Sequence, residues 1–112
     1  MTELAQRRCV PCEGGVKAHD LASATKMRES LRPEWKLTRD AKSLEAAFEF
    51  KNYYHTQAFV NAVAYIAHRE DHHPDISFGY KTCKVSWWTH AINGLSDNDF
   101  ICAAKVDALL AD

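Results

Sequence analysis

The chain has little of several features that would assign it to a specialised class of protein. Its net charge is only −1 at pH 7, so its electrostatics do not favour binding to nucleic acid or to an acidic membrane. It has no apolar run of membrane-spanning length, and its first residues lack the apolar core of a secretion signal. Four cysteines in 112 residues are too few for a disulfide scaffold, so we expect free thiols in a cytoplasmic protein.

The remaining composition is that of an ordinary globular protein, with 46% apolar and 26% charged residues. Residues 1–20 contain Cys9, Cys12 and a pair of glycines but few large apolar side chains, and are interpreted as an N-terminal arm. Residues 21–112 carry periodic apolar patterns in a length typical of one domain. The sequence therefore predicts one domain preceded by an arm.

The spacing of apolar residues predicts three helices and four strands. Helical spacing is found from Leu21 to Leu31, in a long helix that begins after Asn52 and ends near Asp71, and in a last helix that begins at Ser96. Period-two alternation marks strands near Trp35–Leu37, Leu44–Phe50, Ile76–Tyr80 and Cys83–His90. This order predicts an α+β domain, in which a four-stranded antiparallel sheet has helices packed on one face.

Four of the six histidines lie within 23 residues, around the end of the long helix and the end of the fourth strand: His68, His72, His73 and His90. In the helix, Asn61, Tyr65, His68 and His72 follow at steps of four, three and four, which predicts one polar line along its surface. Histidine gives and takes protons near neutral pH without a metal. The cluster therefore predicts proton-transfer chemistry on a small polar molecule.

These residues also form a pattern with many fixed spacings, His68-x3-His72-His73-Pro74-x5-Tyr80-x9-His90-x8-Asp99. The pattern resembles the signature of the pterin-4a-carbinolamine dehydratases, and the resemblance extends from about Trp35 to Asp107. Cys9-x-x-Cys12 and the Trp87-Trp88 pair resemble bacterial members in particular. The first position of the pattern is often glutamate in relatives, whereas this chain has His68.

The resemblance implies an activity, the removal of water from 4a-hydroxytetrahydropterin to give quinonoid dihydropterin in tetrahydrobiopterin recycling. It implies that His72, His73 and His90 are the active-site histidines, and that the substrate is also contacted by His68, Pro74, Thr89, Ala91, Ile92 and Asp99. We hypothesise that His72 and His90 transfer protons while His73 orients the pterin. The resemblance further implies a homodimer or homotetramer, a link to phenylalanine hydroxylase, and no metal or organic cofactor.

Simpler roles are open for several of these residues. Asp99, three residues after Ser96, fits a capping box at least as well as a role in the site. Trp35, Trp87 and Trp88 fit the core or a subunit contact better than pterin stacking. Cys83 and Cys102 are expected to be small buried side chains. Cys9-x-x-Cys12 lacks the second pair that a structural zinc site commonly uses.

Three other functions compete with the dehydratase. A metallohydrolase would use His68, His72 and His90, although Arg69 stands where a zincin has glutamate. An interaction module would serve as a dimerisation or regulatory partner of a hydroxylase or a transcription factor, as animal members of the family do. An inactive relative of the dehydratases is disfavoured because all three histidines are retained.

Overall fold

The computed structural model describes residues 4–11 and 17–111. Its elements are helix α1 (Leu21–Arg28), strands β1 (Lys36–Thr38) and β2 (Ser43–Glu49), helix α2 (Tyr53–Glu70), strands β3 (Asp75–Phe78) and β4 (Thr82–Trp87), and helix α3 (Asp97–Leu109). Two short 3₁₀ turns, Leu4–Gln6 and His90–Ile92, complete the description. The α+β class and the order of the elements agree with the sequence prediction.

The four strands form one antiparallel sheet in the order β1-β2-β4-β3. Strands β2 and β4 pair at its centre, with Leu44 opposite Trp87 and Phe48 opposite Cys83. Since side chains alternate between the faces of a strand, this register places the buried apolar residues of both strands on the same face. Their neighbours on the other face, such as Ala47 and Lys84, are exposed.

The helices cover the buried face of the sheet and enclose the core. Buried side chains from β2, β4, α2 and α3 make up most of it: Leu44, Ala46, Phe48, Phe59, Val63, Ala67, Cys83, Val85, Trp87, Phe100, Cys102, Ala103 and Val106. The prediction that Cys83 and Cys102 are small buried residues is confirmed, and burial raises the pKa of the Cys83 thiol to about 11.

Trp35 joins the start of the sheet to α3. Its indole is fully buried, and its Nε1–H donates to Asp107 Oδ1 at 2.7 Å. The other carboxylate oxygen of Asp107 accepts from the backbone N–H of Arg32 at 2.9 Å. Burial raises the pKa of Asp107 even though both donors favour its ionised form. The prediction that Trp35 and Trp87 belong to the core is confirmed, since both are fully buried.

Three boundaries differ from the sequence prediction by more than one residue, for local reasons. Helix α1 ends at Arg28, where hydrogen bonds to carbonyls three residues earlier replace helical ones. Strand β3 ends at Phe78, because Gly79 N–H already bonds the carbonyl of Thr82 in a turn. Strand β4 ends at Trp87, and His90 lies in a 3₁₀ turn rather than at a strand end.

Replacing Trp35 with phenylalanine should destabilise the fold more than the same change at Trp87. Both indoles are fully buried, but the Trp35 N–H pairs with Asp107, whereas the Trp87 N–H has no hydrogen-bond partner among the described residues. Loss of a donor to a half-buried carboxylate costs about 1–3 kcal/mol. We expect Trp35→Phe to lower the free energy of unfolding by that much more than Trp87→Phe, as measured by urea denaturation. Equal losses would contradict this account.

Candidate active site

A cleft of about 440 Å³ opens where the C-terminal end of α2, the segment after β4 and the N-terminal end of α3 meet. Three histidines, His72, His73 and His90, lie along it. The other residues that line it are Cys9, Val10, Pro11, Arg69, Glu70, Asp71, Trp88, Thr89, Ala91 and Asn98. The fold thus brings the three histidines to one place, as the sequence predicted.

The end of α2 sets the position of His72. Asn52 caps the start of the helix, and the helix ends at Asp71, whose backbone is left-handed with a φ of 53°. The N–H of His72 bonds the carbonyl of Ala67, so the chain leaves the helix in a tight reversal. The predicted polar line of α2 therefore does not continue to His72, whose ring turns inward, stacks parallel to Trp87 and is 12% exposed.

The carboxylate of Asp99 anchors the His72 ring. Its Oδ1 lies 2.6 Å from His72 Nε2, and the Asp99 side chain is fully buried. Its Oδ2 accepts from the Thr89 hydroxyl at 2.8 Å and from the backbone N–H of Ser96 at 2.9 Å. The Thr89 hydroxyl also lies 2.8 Å from that of Ser96. The capping box predicted from Ser96 and Asp99 is present, and the same carboxylate holds a cleft histidine.

This network assigns the tautomer of His72. The partners of Asp99 can all donate, so the carboxylate acts as an acceptor from three directions. His72 Nε2 then carries a proton, and in the neutral ring Nδ1 is the unprotonated nitrogen. A buried carboxylate bonded to one ring nitrogen orients the imidazole and fixes which nitrogen is left to face the cleft.

His73 and His90 have more open surroundings than His72, since both are exposed. The ring of His90 lies against the half-buried indole of Trp88, with centroids 3.8 Å apart. The guanidinium of Arg39 also lies over Trp88, 4.4 Å from the ring centroid, and the indole N–H donates to Asp75 at 3.3 Å. Trp88 is thus half-buried, packs against the edge of the core and supports His90, while the subunit contact considered for it stays a prediction.

The strand-connecting loop that carries Arg39 is unusual. Arg39, Asp40 and Ala41 all have left-handed backbones, with φ between 53° and 63°. Such conformations are costly for residues with a Cβ atom, least so for Asp, and persist where the surrounding structure compensates. The stacking of Arg39 on Trp88 and its 3.5 Å contact with Asn93 are such compensating contacts.

Residues 4–11, here called the arm segment, form one wall of the cleft. The N–H of Cys9 donates to Glu70 Oε1 at 2.8 Å, and Val10 exchanges two hydrogen bonds with the side chain of Asn98. Lys105 donates to the carbonyl of Ala5. The arm segment is thereby attached to both α2 and α3. Cys12, the other half of the Cys-x-x-Cys pair, lies outside the described residues.

Glu70 is the main anchor of the arm segment. Its side chain is only 5% exposed and lies 3.2 Å from Arg8 and 3.7 Å from Lys105. Burial alone would raise the pKa of Glu70, but the hydrogen bond from Cys9 and the charges of Lys105 and Arg8 together hold the pKa below its ordinary value. The charged form of Glu70 therefore stabilises the docked arm segment.

The substrate-contact residues expected from the sequence lie in three kinds of position. Thr89 and Ala91 line the cleft, together with the three histidines. Asp99 lies behind His72 and is fully buried. His68, Pro74 and Ile92 are not among the residues that line the cleft, and His68 is exposed on α2.

Several cleft residues were missed by the sequence analysis. Cys9, Val10 and Asn98 belong to this group because they meet only through contacts between residues about 90 positions apart. Arg39 and Trp88 meet because a hairpin loop reaches over the end of β4. The position of Trp88 could have been predicted from its spacing. It lies two residues before His90, and alternate residues of an extended chain point to the same side.

The described residues contain no group of three or more His, Cys, Asp or Glu side chains arranged to hold a metal ion. The ligand set considered for a metallohydrolase is divided, because His68 is exposed on α2 while His72 is bonded to Asp99. Nor does any helix within residues 4–11 and 17–111 have the length and apolarity to cross a membrane.

The fold and the cleft define a small α+β domain with three histidines along one cleft, and comparison with known proteins shows its family. The family model for pterin 4 alpha carbinolamine dehydratase matches residues 16–109. The chain is 53% identical over 107 residues to a protein of Nitrosomonas europaea provisionally named pterin-4-alpha-carbinolamine dehydratase, covering 96% of this chain and 93% of the relative. It is 47% identical over 111 residues to a protein of the same provisional name from Legionella pneumophila, covering 99% and 98%.

Similar solved structures include two proteins. One is a transcriptional coactivator/pterin dehydratase from Brucella melitensis, with a TM-score of 0.79 and 23% identity over 85% of this chain and all of the other, which supports the fold alone. The other is a pterin dehydratase-like protein described as a RuBisCO assembly factor in the alpha-carboxysome, with a TM-score of 0.62 and 28% identity over 70% and 92%. The chain belongs to the pterin-4a-carbinolamine dehydratase family.

Neutralising Glu70 should loosen the arm segment. Since folding lowers the pKa of Glu70, its stabilising contribution is present above the ordinary glutamate pKa of 4.5 and is lost as the pH falls through the lower folded value. We expect Glu70→Gln to speed hydrogen exchange at the amides of Cys9 and Val10 on the order of tenfold at neutral pH. Glu49→Gln, on an exposed position of β2, is the matched control. Unchanged exchange in Glu70→Gln would contradict this role.

Proposed function

We propose that this protein is a 4a-hydroxytetrahydrobiopterin dehydratase, which removes water from pterin-4a-carbinolamine to give quinonoid dihydropterin. The observation that carries the proposal is the cleft with three histidines, one of which is bonded to a buried carboxylate. Membership of the pterin-4a-carbinolamine dehydratase family supports the same substrate class.

The reaction requires a donor and an acceptor of protons. The substrate carries a hydroxyl on a carbon next to a ring N–H, and hydroxide is a poor leaving group. A proton donated to that oxygen lets it leave as water, and the resulting iminium-like cation then loses the N–H proton to a base. Imidazoles suit both steps because they titrate near neutral pH.

In this proposal His72 and His90 transfer protons and His73 orients the pterin. The Asp99 bond leaves His72 Nδ1 as an unprotonated nitrogen, which suits the base. The exposed His90, supported by Trp88, then suits the acid. Thr89 and Ala91, which line the cleft, remain the proposed substrate contacts beside these histidines, whereas His68, Pro74 and Ile92 do not line it.

The other features follow from the same proposal. The pterin is the substrate, so the reaction requires no metal and no organic cofactor. We propose that the enzyme acts in the cytoplasm as a homodimer or homotetramer, and that it recycles tetrahydrobiopterin for a phenylalanine hydroxylase.

A second candidate is a non-catalytic role as a regulatory or assembly partner of another protein. The similar structure described as a RuBisCO assembly factor favours this candidate, since that protein is called pterin dehydratase-like. The two candidates differ in a direct way, because only the first requires turnover of the pterin.

The deciding experiment is stopped-flow absorbance of freshly generated 4a-hydroxytetrahydropterin, with a chelator present. Acceleration that persists in chelator and depends on the histidines would support the dehydratase. No acceleration by folded protein would reject it in favour of the partner role, while acceleration abolished by chelator would favour the metallohydrolase.

Single alanine variants of His72 and His90 should each lower kcat by about 10²–10⁴-fold, the usual contribution of general acid–base catalysis. Asp99→Asn should lower kcat by about 10²-fold or more, because an amide no longer fixes the tautomer of His72. His55→Ala, at an exposed position in the first turn of α2, is the control and should leave the rate unchanged. A fully active His72→Ala/His90→Ala double variant would reject the mechanism.

Trp88→Ala should lower kcat/KM on the order of tenfold, because His90 loses the indole that it stacks on. Trp88→Phe keeps an aromatic face and should retain most of the activity. The upfield shift that the indole ring current imposes on the His90 ring protons gives a second readout by NMR. If Trp88→Ala leaves both the rate and these shifts unchanged, Trp88 does not position His90.

A further inference from the structure

Two thiols, one on the arm segment and one on α3, lie next to one another. Cys9 Sγ is 3.6 Å from Cys102 Sγ, although the residues are 93 positions apart. Cys102 is fully buried on α3, whereas Cys9 is half-buried and lines the cleft. Neither sulfur has a role in the proposed dehydration, so the contact between them is not explained by that reaction.

The surrounding hydrogen bonds hold the two residues together. On the arm segment, the N–H of Cys9 is fixed by Glu70, and Val10 is fixed on both its N–H and its carbonyl by Asn98. On the other side, Cys102 lies one helical turn after Asn98 in α3. The sulfurs need to approach only from 3.6 Å to about 2.05 Å to reach the bonded distance.

We propose that Cys9 and Cys102 are an oxidation site, at which a peroxide converts the two thiols into a disulfide that fixes the arm segment to α3. In the first step the Cys9 sulfur attacks one oxygen of the peroxide, giving a sulfenic acid and releasing water. In the second step the Cys102 sulfur attacks the Cys9 sulfur, and the sulfenic hydroxyl leaves with the Cys102 proton as a second water. The two electrons lost by the thiols reduce one molecule of hydrogen peroxide.

The surroundings assign the order of these steps. The hydrogen bond with Cys9 and burial both raise the pKa of the Cys102 thiol, so this sulfur stays protonated. Cys102 is also fully buried, so its sulfur has no path to solvent. Cys9 borders the open cleft and meets the oxidant first. Cys102 then acts as the resolving thiol at contact distance.

The consequence concerns the cleft. In the reduced protein the wall formed by Cys9, Val10 and Pro11 is held by hydrogen bonds and by the charge of Glu70. In the oxidised protein the disulfide adds to these hydrogen bonds and this charge, and it closes a loop that spans most of the chain. This inference does not rest on the proposed function, because it concerns sulfur chemistry and arm attachment only.

The test treats the full-length protein with hydrogen peroxide, blocks free thiols, digests with trypsin without reduction and maps the peptides by mass spectrometry. Cleavage after Arg8, Lys17, Lys84 and Lys105 places Cys9 in peptide 9–17 and Cys102 in peptide 85–105. We expect these peptides to be joined within one chain and to separate on reduction. Cys83, buried in the sheet, is the internal control and should remain a thiol.

Cys12 shares peptide 9–17, so Cys12→Ser separates the two partners of Cys102. The link should persist in Cys12→Ser and vanish in Cys9→Ser. A Cys9–Cys12 bridge in the wild-type protein, or oxidation that stops at Cys9 without a link, would overturn the proposal.

Thermal unfolding gives a second readout. A disulfide that closes so long a loop should raise the midpoint of unfolding on the order of 10 °C in oxidised protein. The increase should be absent in Cys9→Ser, which keeps the α3 core intact. An unchanged midpoint in fully linked protein would show that the bond strains the arm segment rather than fixing it.

Discussion

A carboxylate taken out of water must be met by enough donors to replace its hydration, and this constraint organises the structure around Asp99. The side chain is fully buried and is met by His72, Thr89 and the backbone of Ser96. These donors belong to three segments: the turn after α2, the end of the sheet and the start of α3. Because the Asp99 carboxylate bonds to all three segments, it fixes the relative positions of the elements that form the cleft.

The opposite wall depends on a second carboxylate, Glu70. It is nearly buried, and its partners come from the arm segment and from α3. The cleft thus lies between two acidic anchors, one at the end of α2 and the other at the start of α3. Between them, Asp71 reverses the chain, so that the consecutive residues His72 and His73 meet different surroundings.

The architecture could be predicted from the sequence because it depends on local periodicity. Alternation identified β2 and β4, and Asn52 and Pro74 marked the limits of α2. The histidine cluster could also be predicted, since the end of a helix and the end of a strand meet in a small domain. The arm contacts of Cys9 and Val10 could not, because they depend on packing between distant segments that leaves no local pattern. The turn at His90 was missed for a related reason: the bridge between Thr89 and Gly94 sets it.

The double use of Asp99 has a consequence for which substitutions this chain can tolerate. The residue caps α3 and also orients His72. A change at this one position therefore affects both the amount of folded protein and the chemistry of the cleft. A survey of variants scored by cellular level and a survey scored by turnover would both mark this position as intolerant. A substitution that removes the side-chain oxygens of Asp99 therefore loses the histidine anchor and a capping contact of α3 together.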